Sequence, residues 1–313
     1  MPGGGSSRRG AVLALTAAAA GLGLRLASAA AAAAALAATT GAECSGDAGD
    51  GGAQRPLRLG CVGVGTINSA VVRGLCTSEG RPVQILVGPR NTAKAAALVA
   101  QFADQVTQAS SSQEVLDGSD IILLATPPGP ASLQQVAAGL TFRPDHRVIC
   151  IVAGVSYDLI KEVTAPAASA TIALPLPPAE WHASTTPVFP RDELTEALMG
   201  RLGHVIALDS FEQLSALSVG ALMGHFYKTL QTVEGYLVKH GFEPEAAAAA
   251  TGSYYNTFNQ ASKVGRAGLF AELVAEQTPG GLNEQVIREV EEGGGFALVE
   301  QAMDNIRLRK AGK

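Results

Sequence analysis

The chain has 313 residues, 23 Lys and Arg against 28 Asp and Glu, a formal net charge of −5, and 47% hydrophobic with 16% charged residues. This balance suits one large or two ordinary globular domains. A mildly acidic body with no basic run before the terminal "RLRK" excludes nucleic acid as a partner, and with no long apolar span in the body no membrane is expected for the mature form. Cys44, Cys61, Cys76 and Cys150 form no C-x-x-C pair, so neither a metal site nor a disulfide framework is expected. Cys61 and Cys150 sit in apolar runs and read as small packed hydrophobes.

Residues 1–54 form an alanine- and glycine-rich leader without net charge. The Arg8-Arg9 pair, an apolar stretch broken by Arg25 and the small-residue site Ala27-Ser28-Ala29 have the anatomy of a targeting segment. A twin-arginine signal and an organelle transit region are both open, and a low-complexity extension without an address is the alternative. The expectation is a leader, disordered or removed, addressed to a plastid or mitochondrion or to secretion and export.

From Arg55 onward short apolar runs alternate with helical patterns at βαβ spacing. Strands are expected over 57–64, 83–87, 120–125, 146–152 and 171–174, and helices over 67–78, 92–102, 112–116, 132–139 and 158–163. "PVFP" and "HVIALD" are the last strand pieces, with a helix over 192–202 between them. This order is α/β, a doubly wound parallel sheet over 55–208. Over 209–313 the pattern turns wholly helical, with stretches at 212–240, 244–267, 269–276 and a final pair split by "GGG" at 293–295. Such an all-α tail after a nucleotide-binding sheet closes the cleft and makes subunit contacts.

The first strand runs into "GCVGVGTIN", with Gly63 and Gly65 at the turn and Thr66, Ile67 and Asn68 opening the helix. Strand, G-x-G, helix and second strand in this spacing are a dinucleotide-binding, Rossmann-type fingerprint: the first glycine permits the tight turn, and the second lets backbone approach a pyrophosphate at the helix N-terminus. Asn68 replaces the third small residue, which loosens helix on strand but leaves a side chain able to donate to a phosphate oxygen. After the second strand comes "LVGPRNTAK", which has no acid for a ribose hydroxyl. Arg90, Asn91, Thr92 and Lys94 suit a 2′-phosphate instead, which favours NADP over NAD; a solvated turn capping the next helix through Asn91 or Thr92 is the plain alternative.

The fingerprint, "GSDIILLATPP", "VICIVAGVSYDLI" and "QTPGGLNEQVIREVEEGGGFALVEQAM", read in order, make the chain resemble the pyrroline-5-carboxylate reductases from about Leu57 to the C-terminus. The resemblance implies a nicotinamide-dependent reduction of a cyclic imine to L-proline, with helical domains interlocked as a homodimer or higher homo-oligomer and a small-molecule substrate at that interface. It places the nicotinamide near Thr126, Pro127, Ala153 and Gly154. The family's R-x-M-P-N-T-P-A loop falls on 172–179, where Leu176 stands for its asparagine, and its S-G-S-G-P-A turn falls near 218–223, where Ser218 survives beside Leu222 and Met223. Its S-P-G-G-T-T loop becomes 278–283, so the resemblance assigns Asn283, with backbone N–H groups of Gly280 and Gly281, to orienting the imine, and Ser218 second. Lost polar groups in these loops turn preference towards a less polar imine or carbonyl, or towards a paralogue that binds nucleotide without catalysis. His182 beside Trp181 is a candidate proton donor, whereas His225, Tyr227, Lys228, Tyr254 and Tyr255 read as packing or solvated helix residues.

Overall fold

The computed structural model describes residues 55–262 and 265–310, so the leader lies outside the described residues. The described chain forms two compact units that divide after Phe211.

The first unit is built on an eight-stranded sheet in the order β3-β2-β1-β4-β5-β6-β7-β8. Its strands are β1 (Leu57–Val62), β2 (Val83–Val87), β3 (Val106–Gln108), β4 (Ile121–Leu124), β5 (Arg147–Cys150), β6 (Ser169–Ala173), β7 (Ser184–Phe189) and β8 (Gly203–Ala207). The first six run parallel. The helices are α1 (Thr66–Thr77), α2 (Thr92–Gln101), α3 (Ser112–Asp117), α4 (Pro130–Ala137), α5 (Tyr157–Thr164) and α6 (Glu193–Gly200). A strand such as β4, "IILL", is buried along its whole length, as parallel strands covered on both faces are. Cys61 and Cys150 are part of this core, and burial pushes their thiols up to about 12 and about 11.

Two features correct the expected sheet. β3 adds an edge strand that the sequence pattern does not announce, since three residues, "VTQ", are too short to show a period. The sheet is also not wholly parallel: β7 pairs antiparallel to β6 through Ile172 and Phe189, and β8 follows β7 in parallel. The link from β6 to β7 holds only a 3₁₀ turn, Pro177–Trp181. A parallel return needs a crossover of roughly a dozen residues or more, usually a helix, so the strand turns back instead.

The second unit carries α7 (Phe211–Gly220, whose first residue closes the first unit), α8 (Met223–Lys239), α9 (Pro244–Ser262), α10 (Leu269–Ala275), α11 (Leu282–Glu292) and α12 (Gly295–Lys310). The expected helix over 212–240 breaks at Leu222, which takes a left-handed φ of 40° between the weak helix formers Gly220 and Gly224. Beyond α7, only Ala247, Thr251 and Leu269 are buried among the unit's described residues. Phe226, Tyr236, Tyr254, Phe258, Phe270 and Leu298 are all exposed.

Candidate cofactor site at the carboxyl edge of the sheet

The parallel register aligns Val62 with Leu124, Leu124 with Cys150 and Cys150 with Ile172. The loops after β1, β4, β5 and β6 therefore leave from one edge. Between β1 and β4 the strand order reverses, which opens a crevice at the carboxyl ends where nucleotides bind in such sheets.

Gly63 has φ +88°, and a Cβ there would stand 2.0 Å from the carbonyl oxygen of Ala125. The close approach of the β4 exit thus demands glycine. Gly65 differs: its backbone is extended, at φ −89° and ψ −170°, and nothing lies within 4 Å of the position a Cβ would take. It caps α1 without a side-chain hydrogen bond, and no acid occupies the first turn. Gly65 and Thr66 are exposed. An uncapped helix N-terminus with open space beside its glycine fits an anion as large as a pyrophosphate.

Asn68 corrects the expectation of a phosphate ligand. It is 1% exposed, and its Nδ2 donates to the Gly63 carbonyl at 2.7 Å. Ile67, half-buried, packs on the core, which leaves its backbone as the part that can face a cofactor.

At the end of β2, Arg90 is exposed. Asn91 accepts from the Lys94 backbone N–H at 3.2 Å and so caps α2, while Thr92 Oγ1 lies 3.4 Å from the Pro89 carbonyl. The capping alternative thus holds for Asn91. Lys94 reaches back across the edge, its Nζ donating to Thr66 Oγ1 at 3.1 Å. This contact joins the basic loop to the glycine turn, and it makes Lys94 part of the site. The signal was present in the sequence, because adjacent parallel strands place the loops after them side by side.

Farther along the edge, Gly129 N–H donates to the Ala153 carbonyl at 3.1 Å, drawing the loops after β4 and β5 together. Pro127, Ala153 and Gly154 are exposed there, and Thr126 is half-buried with its hydroxyl turned to the Pro127 carbonyl at 2.9 Å. Gly154 takes φ +76° with open space around it. Leu176 is half-buried and its N–H donates to Ser184 Oγ at 2.9 Å. His182 does not belong to the edge. Its Nε2 lies 3.0 Å from the Gly74 carbonyl and 3.2 Å from Thr77 Oγ1, roughly 12 Å or more along α1 from Thr66 at 1.5 Å per residue.

In the helical unit, Ser218 Oγ donates back to the Leu214 carbonyl at 2.6 Å, which leaves the hydroxyl only its acceptor capacity. Ser218 walls a groove of about 660 Å³ with Val219, Leu222, Leu298, Val299 and Met303, its lining drawn from α7, α8 and α12. Gly280 has φ +69°. The Gly281 N–H donates to Thr278 at 2.8 Å, so it is spent within its own turn and does not serve a substrate. Asn283 is exposed in the first turn of α11. Among the described residues no three His, Cys, Asp or Glu side chains gather to hold a metal ion, and no helix there is long and apolar enough to cross a membrane.

Residues 58–154, the stretch holding the glycine turn, the basic loop and the exits of β4 and β5, match the family described as NADP oxidoreductase, coenzyme F420-dependent. The pyrroline-5-carboxylate reductase of Escherichia coli K12 is 26% identical over 260 residues, covering 79% of this chain and 94% of that protein. A solved 1-pyrroline-5-carboxylate reductase of Streptococcus pyogenes superposes with a TM-score of 0.67 at 19% identity, covering 82% of this chain and 99% of that one. Sequence and fold together resemble the pyrroline-5-carboxylate reductases. A Plasmodium falciparum pyrroline carboxylate reductase solved with NADP bound has a TM-score of 0.66 at 13% identity, over 81% of this chain and 98% of that one. The α/β class, a Rossmann-type sheet followed by a helical region, stands as read from the sequence. By this resemblance the chain is an oxidoreductase of the NAD(P)H-dependent class.

Proposed function

We propose that the chain is an NADPH-dependent reductase that delivers hydride to the C=N carbon of a cyclic imine of the pyrroline-5-carboxylate type, giving the cyclic amine, L-proline for that substrate. The observation that carries the reading is the open, uncapped turn at Gly65 and Thr66 joined by Lys94 to a loop that offers Arg90 and no acid. The backbone N–H groups of Val64, Gly65, Thr66 and Ile67 would hold the pyrophosphate, and Arg90, Thr92 and Lys94 the 2′-phosphate. When bound, NADPH supplies the hydride. Thr126, Pro127, Ala153 and Gly154 would form the wall against which the nicotinamide lies, setting its distance and face relative to the imine. A protonated imine nitrogen takes the electron pair of the C=N bond as the carbon gains hydride, so the site needs no strong acid. Asn283 would orient that nitrogen or its neighbouring carboxylate, with Gly280, and Ser218 would accept a hydrogen bond.

A second reading has its own observation. The groove beside Ser218 is lined by Leu222, Leu298, Val299 and Met303, and Leu176 stands where the family has asparagine. These surfaces favour the same hydride transfer to a less polar imine or carbonyl. The exposed aromatic surface of the helical unit, including Phe226, Tyr254 and Phe258, fits pairing with a second copy of this chain. The leader would address the chain to an organelle or to export, which a fusion of residues 1–54 to a fluorescent reporter tests.

The deciding experiment follows NADPH absorbance with the full chain, with and without pyrroline-5-carboxylate. Oxidation that depends on the substrate is the expected result. NADPH binding with no oxidation on this substrate, but oxidation on apolar cyclic imines, would favour the second reading.

A further inference from the structure

We propose that Asn68 is a positioning residue: it holds the glycine turn in the shape that receives the cofactor's pyrophosphate, acting through the Gly63 carbonyl without touching the cofactor. The proposal rests on the NADP reading above and deepens it.

The carbonyls of Cys61, Val62, Gly63 and Gly65 in the turn are each held by protein donors. The Cys61 carbonyl accepts from Gly88 N–H at 3.0 Å and the Val62 carbonyl from Ala125 N–H at 2.9 Å, so both are secured by neighbouring loops of the sheet. Gly63 is the first residue beyond the strand, and its carbonyl accepts from Asn68 Nδ2 at 2.7 Å. The Gly65 carbonyl accepts from Ser69 N–H at 3.0 Å and from Ser69 Oγ at 2.8 Å. Asn68 thus continues, with a side chain, a series that the sheet can no longer supply.

A trans peptide points its N–H opposite to its C=O. Fixing the Gly63 carbonyl on the buried Asn68 therefore turns the Val64 N–H the other way, and fixing the Gly65 carbonyl inside α1 turns the Thr66 N–H out of the helix end. Those are the donors an anion beside Gly65 would meet. With the side chain buried, only its effect on the turn reaches the site.

The amide's other atom shows which end matters. A flipped amide would set Oδ1 against the Gly63 carbonyl, two acceptors face to face, so Nδ2 must point there. Oδ1 is then buried with no protein group donating to it. Buried polar atoms seldom lack a partner, and a small apolar residue at this helix-strand contact would avoid the orphan altogether. What Asn68 adds in exchange is the bond to Gly63.

The test uses the full chain with Asn68→Ala and Asn68→Leu, the second filling the volume the first empties. Calorimetric titration compares NADPH with adenosine 2′-monophosphate, which carries the 2′-phosphate and lacks the pyrophosphate. The expected result is an NADPH dissociation constant raised about tenfold, or about 1.4 kcal/mol, in whichever variant stays folded, with adenosine 2′-monophosphate bound as by the parent. Unchanged NADPH affinity in a folded variant overturns the proposal. So does an equal loss for both ligands, which would mean that Asn68 acts through general folding. Failure of the parent chain to bind either ligand would instead overturn the NADP reading, and this proposal with it.

Discussion

Gly63 and Gly65 stand two residues apart and make opposite demands, so alanine at each separates fold from ligand. At Gly63 the alanine meets φ +88° and a Cβ position 2.0 Å from the Ala125 carbonyl. A left-handed residue that is not glycine costs roughly 1–3 kcal/mol, and forcing a methyl into a packed contact costs about 1–3 kcal/mol more. Gly63→Ala should therefore lose about 2–6 kcal/mol, lowering the thermal midpoint by roughly 4–24 °C for a unit of this size. At Gly65 the backbone is one that any L-residue adopts, and a Cβ enters open space. The lost N-cap preference for glycine and the reduced freedom of the unfolded chain are each a few tenths to about 1 kcal/mol and oppose one another. Stability should hardly move. If a pyrophosphate passes beside Gly65, however, the methyl occupies its path, and the NADPH dissociation constant should rise at least about tenfold, or about 1.4 kcal/mol. Thermal melts and calorimetric titration of both variants read the two effects separately. NADPH bound unchanged by Gly65→Ala would refute the placement of the pyrophosphate, and an unshifted midpoint in Gly63→Ala would refute the claim that β4 requires glycine there.

Three further outcomes follow from the same edge and its supports. Replacing Arg90 and Lys94 together with alanine should weaken NADPH by about tenfold or more while NADH binding stays level, since each charge-assisted bond to a 2′-phosphate carries about 1.5–3 kcal/mol before exposure to water reduces it; parallel titrations with both nucleotides check this. His146 is buried between the Arg143 N–H, which donates to its Nδ1 at 3.0 Å, and the Leu116 carbonyl, 3.0 Å from Nε2. Burial first, and then the Arg143 charge, hold its pKa below the ordinary 6.5. The folded protein therefore binds fewer protons here than the unfolded chain, and the stability His146 contributes is present above about pH 6.5 and lost as pH falls through the lower folded value. Melts across this range should show the loss, and His146→Gln should flatten that part of the profile. Arg201 donates to the Leu75 carbonyl at 3.1 Å, Ser78 Oγ at 2.9 Å and the Arg81 carbonyl at 3.0 Å, closing the C-terminal end of α1; Arg201→Met should lower stability by about 1–3 kcal/mol in denaturant titration and leave NADPH affinity unchanged.

The parts of the fold that could be read from the residues are those whose physics is local. β4 is an unbroken apolar run because both its faces are covered, and α2 announces its start through Asn91, which caps it. The reversal at β7 is not local, since the same residues "STTPVF" suit either direction and only the short link after β6 decides. Asn68 is intermediate. The third fingerprint position faces the strand in any such turn, so whatever stands there is buried, and from that alone its amide belonged to the protein and not to a phosphate. Ser218 obeys a similar rule, because a helical serine can return its proton to the carbonyl four residues back.

The helical unit resists reading for a different reason. Leu282, Val286 and Val290 recur at every fourth residue of α11, a stripe that in a single chain should face a core. Here all three are exposed, Leu282 at 83%. The apolar pattern is as regular as that of α1, and its period gives the helix correctly. A stripe of this kind specifies that a face will be covered without naming what covers it, so the same regularity that identifies α11 carries no information about where Asn283, one residue from Leu282, will point. For α1 the sheet supplies the covering surface and its glycines supply the turn, which is why the glycine turn could be read from the residues themselves, whereas the nicotinamide wall and the substrate loops came only by resemblance.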